Sequence, residues 1–247
     1  MNTNPISTCD PRQNHLLRAL PLVEWARWAP LLELVKLTPG QVLSESGSTP
    51  TFVYFPVTAV VSLLYMTREG GSAEIAVIGN DGVVGISVFM GGNATPSRAV
   101  VQSAGQAYRM HAQVATSEAN RGGPVLNVLL RYAQSLIAQV SQTAVCNRYH
   151  SIDQQLARRL LLGLDRSSSD ELVMTQELAA NLLGVRREGI TAAAHKLQLA
   201  GVIRYRRGHI AVLDRKRLEQ RTCECYAGAK REYERLLPMP MPMAAAA

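Results

Sequence analysis

Three groups of residues have types and spacings that could do chemistry. The first is cationic: Arg186 and Arg187 beside Glu188, then Arg204, Arg206 and Arg207 within four positions. A guanidinium is permanently charged and presents a fork of donors, which suits phosphates and base edges. The second is four cysteines, Cys9, Cys146, Cys223 and Cys225. They are too few for a disulfide scaffold and lack the paired Cys-x-x-Cys spacing of a zinc site. Cys223-x-Cys225 has no other metal ligand close in sequence, so ordinary packing is expected, no metal is expected, and redox sensing is the sharper alternative. Cys146 reads as a small buried side chain. The third group is Gly79, Gly82 and Gly85, whose spacing lets backbone amides approach an anion without forming a P-loop. Nucleophile elbow, His-Glu-x-x-His and Walker lysine are all missing, and the five histidines are dispersed, so an enzyme is not expected.

The cationic group needs elements to carry it. Thr175 can cap a helix, with Glu177 at its positive end and Leu178, Ala179, Leu182 and Leu183 facing inward. Gly184 sits where that helix must end and the chain must turn. A second helix is expected over 186–200, with Ile190, Ala194 and Leu197 inward and Arg186, Arg187, Glu188, Thr191 and His195 on other faces. Helix, glycine turn, helix is a DNA-binding pattern whose second helix enters the major groove. Residues 201–213 then read as two short strands around a basic turn, a wing able to meet phosphates.

Charge follows the same division. The chain has 247 residues and a net charge of +7. Residues 1–123 are neutral, with eight basic and eight acidic residues, whereas 172–221 alone hold ten basic and four acidic. Such asymmetry reads as attraction to a polyanion.

Ahead of this basic region the chain changes texture twice. Stretches 40–43, 52–55, 59–66, 74–78 and 99–110 are short, several are rich in Val, Ile, Tyr or Phe, and they are separated by Gly and Pro, which predicts a barrel, roll or sandwich. Residues 15–36 look helical, broken by Pro21 and Pro30. From Pro124 a long amphipathic helix is predicted, with Leu126, Leu129, Leu130, Ala133, Leu136, Ile137 and Val140 as one stripe that zips against a second copy. Ser151 and Gln154 form a capping box for the next helix, and 166–170 reads as a polar linker. Residues 221–237 look helical and the terminal Pro-Met-Ala tail disordered. No stretch is long and apolar enough to span a bilayer, and residues 1–11 carry no secretory signal pattern, so a cytoplasmic protein without membrane contact is expected.

Three segments together resemble the Crp/Fnr family of bacterial transcription regulators. They are Leu37-Thr38-Pro39-Gly40-Gln41 with Gly47 and Val53-Tyr54-Phe55-Pro56, the long helix, and 175–203 with the wing. The resemblance covers roughly 16–213. It implies an α+β architecture: an N-terminal jelly-roll-like β-roll over 1–123, a dimerisation helix over 124–149, a winged helix-turn-helix over 150–221, and a C-terminal helix and tail over 222–247. It implies a homodimer on a pseudo-palindromic double-stranded DNA site, with RNA polymerase as a further partner. Contacts to DNA are expected from Thr175, Gln176, Arg186, Arg187, Glu188, Thr191, His195, Arg204, Arg206 and Arg207. Arg187 would face guanine and Glu188 cytosine. Ala192 stands where the family has a further arginine, so a different half-site is expected.

In the roll, Gly82, Gly85, Ile86, Ser87, Ser97, Arg98 and Ala99 match the family's cyclic-nucleotide segments. Ile86 replaces the glutamate that holds the ribose, so cAMP is disfavoured. The open alternatives are another ligand, such as a different nucleotide or a cyclic dinucleotide, and a roll that senses nothing. Glu74 and Asp81 read as surface or turn residues. With only Cys9 near the N-terminus, the family's iron–sulfur cluster is not expected, nor is haem on His15 or His111. The rival from another class is a ligand-binding or protein-interaction module whose winged helix docks on a protein.

Overall fold

The computed structural model describes residues 9–92, 94–167 and 171–238, so the terminal tail and most of the expected linker lie outside the described residues. Two short helices come first, α1 (His15–Arg18) and α2 (Leu22–Trp28). Asn14 caps α1 by accepting from the Leu16 and Leu17 amides, and its own amide donates to the carbonyls of Pro56 (2.9 Å) and Gly82 (2.8 Å). One buried side chain thereby ties the helix to the strands beneath it.

Seven strands follow: β1 (Glu33–Leu37), β2 (Val42–Ser44), β3 (Phe52–Pro56), β4 (Val60–Met66), β5 (Ser72–Ile78), β6 (Arg98–Ser103) and β7 (Gly105–His111). They make two antiparallel sheets, β1-β7-β3 and β2-β6-β4-β5. Between them lie Leu37, Tyr54, Val61, Ile78, Val101 and Ala107. The other face of β1-β7-β3 carries Val53, Phe55, Tyr108 and Met110, which pack with Leu16, Leu17 and Trp28. This period-2 alternation is what a sheet covered on both faces requires. The expected helix over 15–36 is corrected here. After Pro30 the chain runs extended as β1, because Glu33 to Leu37 pair with β7 more than 60 residues downstream.

Helix α3 (Ala112–Ala119) leads to α4 (Gly123–Tyr149), 27 residues long and roughly 40 Å. Next come α5 (Ile152–Leu164), β8 (Glu171–Val173), α6 (Gln176–Leu183), α7 (Arg187–Leu199), β9 (Ile203–Arg206), β10 (His209–Val212), α8 (Arg215–Glu219) and α9 (Glu224–Leu236). The Ser151–Gln154 capping box opens α5 as the spacing predicts. Leu156, Leu160 and Leu161 of α5 form a third core with Leu182, Ile190, Leu197, Val202 and Ile210.

The apolar stripe of α4 is not one seam. Leu129 is only 3% exposed, and Leu129 and Ala133 are covered by their own chain. Leu136 and Val140 pack on the core between the sheets. Leu130 and Ile137, at 52% and 60% exposure, point the other way, with Leu126 between the two faces. The helix has two apolar sides, and the β-roll takes one of them.

The roll and the C-terminal part meet through Glu74 and Asp81, expected as surface or turn residues; Asp81 does lie in a turn, whereas Glu74 is a buried strand residue. Glu74 of β5 is buried, receives the Ser62 hydroxyl and pairs with buried Arg159 of α5 at 2.5 Å. Asp81 pairs with Arg166 at 2.5 Å, so Arg166 belongs to a buried contact and not to a linker. Gly79 and Gly82 make this approach feasible. A Cβ on Gly79 would lie 2.5 Å from the Arg166 side chain, and one on Gly82 would lie 2.3 Å from the Tyr132 hydroxyl oxygen. Among the described residues no helix is long and apolar enough to cross a membrane.

Candidate nucleic-acid interface

Thr175 precedes α6 in extended geometry, and its hydroxyl oxygen accepts from the Leu178 amide at 3.0 Å. Gly184 ends α6 at φ +65°, a left-handed conformation that an L side chain resists. The turn lets Ala179 and Leu182 meet Ile190 and Ala194 of α7 inside the core. Arg186 takes the N-cap position of α7 without a side-chain capping bond, and Arg187, Glu188, Thr191, Ala192 and His195 lie on the helix's exposed side. The Thr191 hydroxyl donates to the Arg187 carbonyl (3.0 Å) and lies 2.9 Å from Gln176 Oε1, which locks the two helices together beside this face.

The wing is a two-residue hairpin. Arg206 pairs with His209 across it, and Arg207 and Gly208 make the turn with φ of +50° and +82°. Positive φ at both positions gives the twist that two-residue hairpins favour. Arginine is an unusual occupant of the first, so its side chain sits at the tip at some backbone cost. The Tyr205 hydroxyl donates to the Met174 carbonyl at 2.9 Å and holds the wing against the entry to α6. Burial raises its pKa, so it stays a donor.

A groove results between α7 and the wing, lined by Thr175, Gln176, Arg187, Thr191, His195, Tyr205 and Arg207. Arg204 and Arg206 lie exposed on the adjoining strand. Among the described residues Arg186, Arg187, Arg204, Arg206 and Arg207 make no ion pair, while Lys196, on the same helix, is held by Asp153 at 2.9 Å. Arg187 and Glu188, adjacent in sequence, do not pair with each other either. The groove is therefore a basic channel in which two exposed carboxylates, Glu177 on its lining and Glu188 beside it on α7, stand among the donors, a charge pattern that attracts a polyanion.

The residues matched to a nucleotide pocket are not brought together in this way. Gly82 is filled by the Tyr132 ring, which corrects its reading as part of an anion cradle. Gly85 turns at φ +95° into a short 3-10 segment, Ile86–Met90, and Ile86 packs in the core beneath α1 and α4. Ala99 lies in the other core, between the sheets. Ser97 is buried beside Thr95, and Arg98 Nε lies 3.1 Å from Glu45.

Sequence spacing also missed one constellation. Cys146 and His150, at the end of α4, meet Cys223 and Cys225, at the start of α9. Burial pushes the Cys146 and Cys225 thiols up to about 12 and about 11.

A family model described as a Crp-like helix-turn-helix domain matches residues 154–221. No curated protein matches the chain. Solved structures are similar over most of its length. FixK2 from Bradyrhizobium japonicum aligns at 15% identity and a TM-score of 0.64, over 78% of this chain and 98% of its own. A CRP/FNR family transcriptional regulator from Thermus thermophilus gives 20% and 0.62, over 76% and 97%. The c-di-GMP responsive global regulator CLP of Xanthomonas campestris gives 14% and 0.60, over 78% and 100%. The chain thus carries a Crp-like helix-turn-helix domain on the fold shared by transcription regulators of the Crp/Fnr family.

Proposed function

We propose that this protein is a sequence-specific DNA-binding transcription regulator that works as a homodimer. The observation that carries the reading is the basic groove, where five arginines, without ion-pair partners among the described residues, surround the exposed start of α7. In this reading α7 enters the major groove, Arg187 donates to guanine and Glu188 accepts from cytosine. Arg186, Arg204, Arg206 and Arg207, with Thr175 and Gln176, hold the phosphates, and Thr191 and His195 lie along the groove floor. The partner copy packs on the outward side of α4, where Leu130 and Ile137 stand one heptad apart and Leu126 lies one turn before them. RNA polymerase is a downstream partner in the same reading.

A small ligand would act on such a dimer through α4, since Tyr132 of that helix rests on Gly82 of the roll. A cyclic dinucleotide fits this reading better than cAMP, because Ile86 offers no carboxylate to a ribose.

Selection of bound duplexes from a random pool tests the proposal, run at several salt concentrations and with c-di-GMP, cAMP or no nucleotide. An inverted repeat with half-sites about 10 base pairs apart is expected, and the affinity should fall steeply with salt. Recovery of no sequence, with salt-insensitive capture of a protein instead, would sink it.

A further inference from the structure

Both ends of the winged-helix region return to one point. Cys146 lies in the last turn of α4 and His150 caps that helix, while Cys223 caps α9 and Cys225 lies in its first turn. Cys146 Sγ is 3.5 Å from Cys223 Sγ, and Cys225 Sγ is 3.6 Å from His150 Nδ1. All four donor atoms lie within 4.8 Å of one another. The three sulfurs form their own buried cluster, and all the cysteines are free thiols. A tetrahedral zinc ion with ordinary Zn–S and Zn–N bonds sets its donors about 3.6–3.8 Å apart. The two measured separations are close to that edge length, and a cluster of several irons would need the sulfurs further apart.

The surroundings suit an ion as well. His150 Nε2 lies 3.2 Å from Glu224 Oε1, an acceptor for a proton on that nitrogen, and Nδ1 faces the thiols. Arg158 is buried within electrostatic reach of all three sulfurs, and its guanidinium donates to the Thr143 hydroxyl at 3.1 Å. Three thiolates and one divalent cation leave a single negative charge, which Arg158 offsets.

We propose that Cys146, His150, Cys223 and Cys225 form a Cys3His site for one thiophilic divalent cation, zinc by preference. Binding exchanges three thiol protons for the ion and joins the end of α4 to the start of α9. The link closes a loop of 77 residues that contains the whole winged helix, so it fixes the reading head at its root.

The test uses the full chain, purified under reducing conditions, stripped with a chelator and titrated with cobalt(II) or zinc. Expected are one ion per chain by elemental analysis and the intense visible absorption of tetrahedral cobalt with thiolate-to-metal charge transfer. Zinc should displace cobalt, and removal of the ion should lower the melting temperature. Cys223→Ser should weaken both the affinity and the charge-transfer band, and Cys9→Ser, outside the site, should leave them unchanged. Glu224→Gln should weaken the affinity by about tenfold or more while keeping the same spectrum. Folded wild-type protein that takes up no ion overturns the proposal, as does a weak octahedral cobalt spectrum or a Cys146–Cys223 disulfide in place of metal. None of these readouts uses DNA, so their failure is separable from failure of the regulator reading.

Discussion

Arg187 carries the sharpest expectation of any single residue. Replacing it by alanine removes a bidentate donor without touching the core, because its side chain is exposed and makes no ion pair among the described residues. Arg187→Ala should cost about 1–3 kcal/mol at the preferred site and relax one base position. Gel shifts on single-base variants check this. An unchanged base preference would remove Arg187 from the readout. A different group reports on folding. His15 has a pKa below its ordinary value because burial disfavours the imidazolium, with Asp81 only partly opposing. The native state then binds fewer protons than the unfolded chain below about pH 6.5, so stability is full above that and declines as pH falls. Urea midpoints at about pH 7.5 and about pH 5.5 should therefore differ less in His15→Gln than in the wild type. The elements around the site were legible where they are local: Thr175 and Gly184 announce a cap and a turn within a few positions. Gly82 and Glu74 were not, because their roles are set by Tyr132 and Arg159, which approach only after the chain has folded back.

At the scale of elements, α4 shows what periodicity can and cannot say. Its helical spacing was evident, but a stripe that wide contains two faces, and only the roll decides which one it covers. Leu130→Asp combined with Ile137→Asp should give a folded monomer, since both side chains are exposed in the single chain and a charge is costly only in the seam between copies. Sedimentation velocity with circular dichroism is the check, and a double variant that stays dimeric would refute this interface. Leu129→Asp should instead destabilise the chain itself, because that side chain is buried beside Leu16, Leu17 and Tyr132. Strand β1 makes a related point. Its five residues include two charged ones, Glu33 and Lys36, and nothing nearby in sequence signals a strand; pairing with β7 settles it. The wing was readable because both of its strands and its turn lie within ten residues.

For the whole molecule, the two ion pairs at the junction matter more than the excess charge. Glu74–Arg159 is buried on both sides, so Glu74→Gln leaves a guanidinium without compensation. A loss of about 3–5 kcal/mol in urea denaturation is expected. A variant within about 1 kcal/mol of wild type, the scale of extrapolation error, would mean that water reaches Arg159. With the roll and the winged helix held this firmly, α4 becomes the long arm of a lever. Over its roughly 40 Å, a tilt of about 5° at the roll end carries the far end by roughly 3.5 Å. That is close to one base-pair step along the duplex, about 3.4 Å. In the proposed dimer, operator spacing is then a measurement of helix crossing angle, and duplexes lengthened or shortened by a single pair between half-sites would read that angle out in solution.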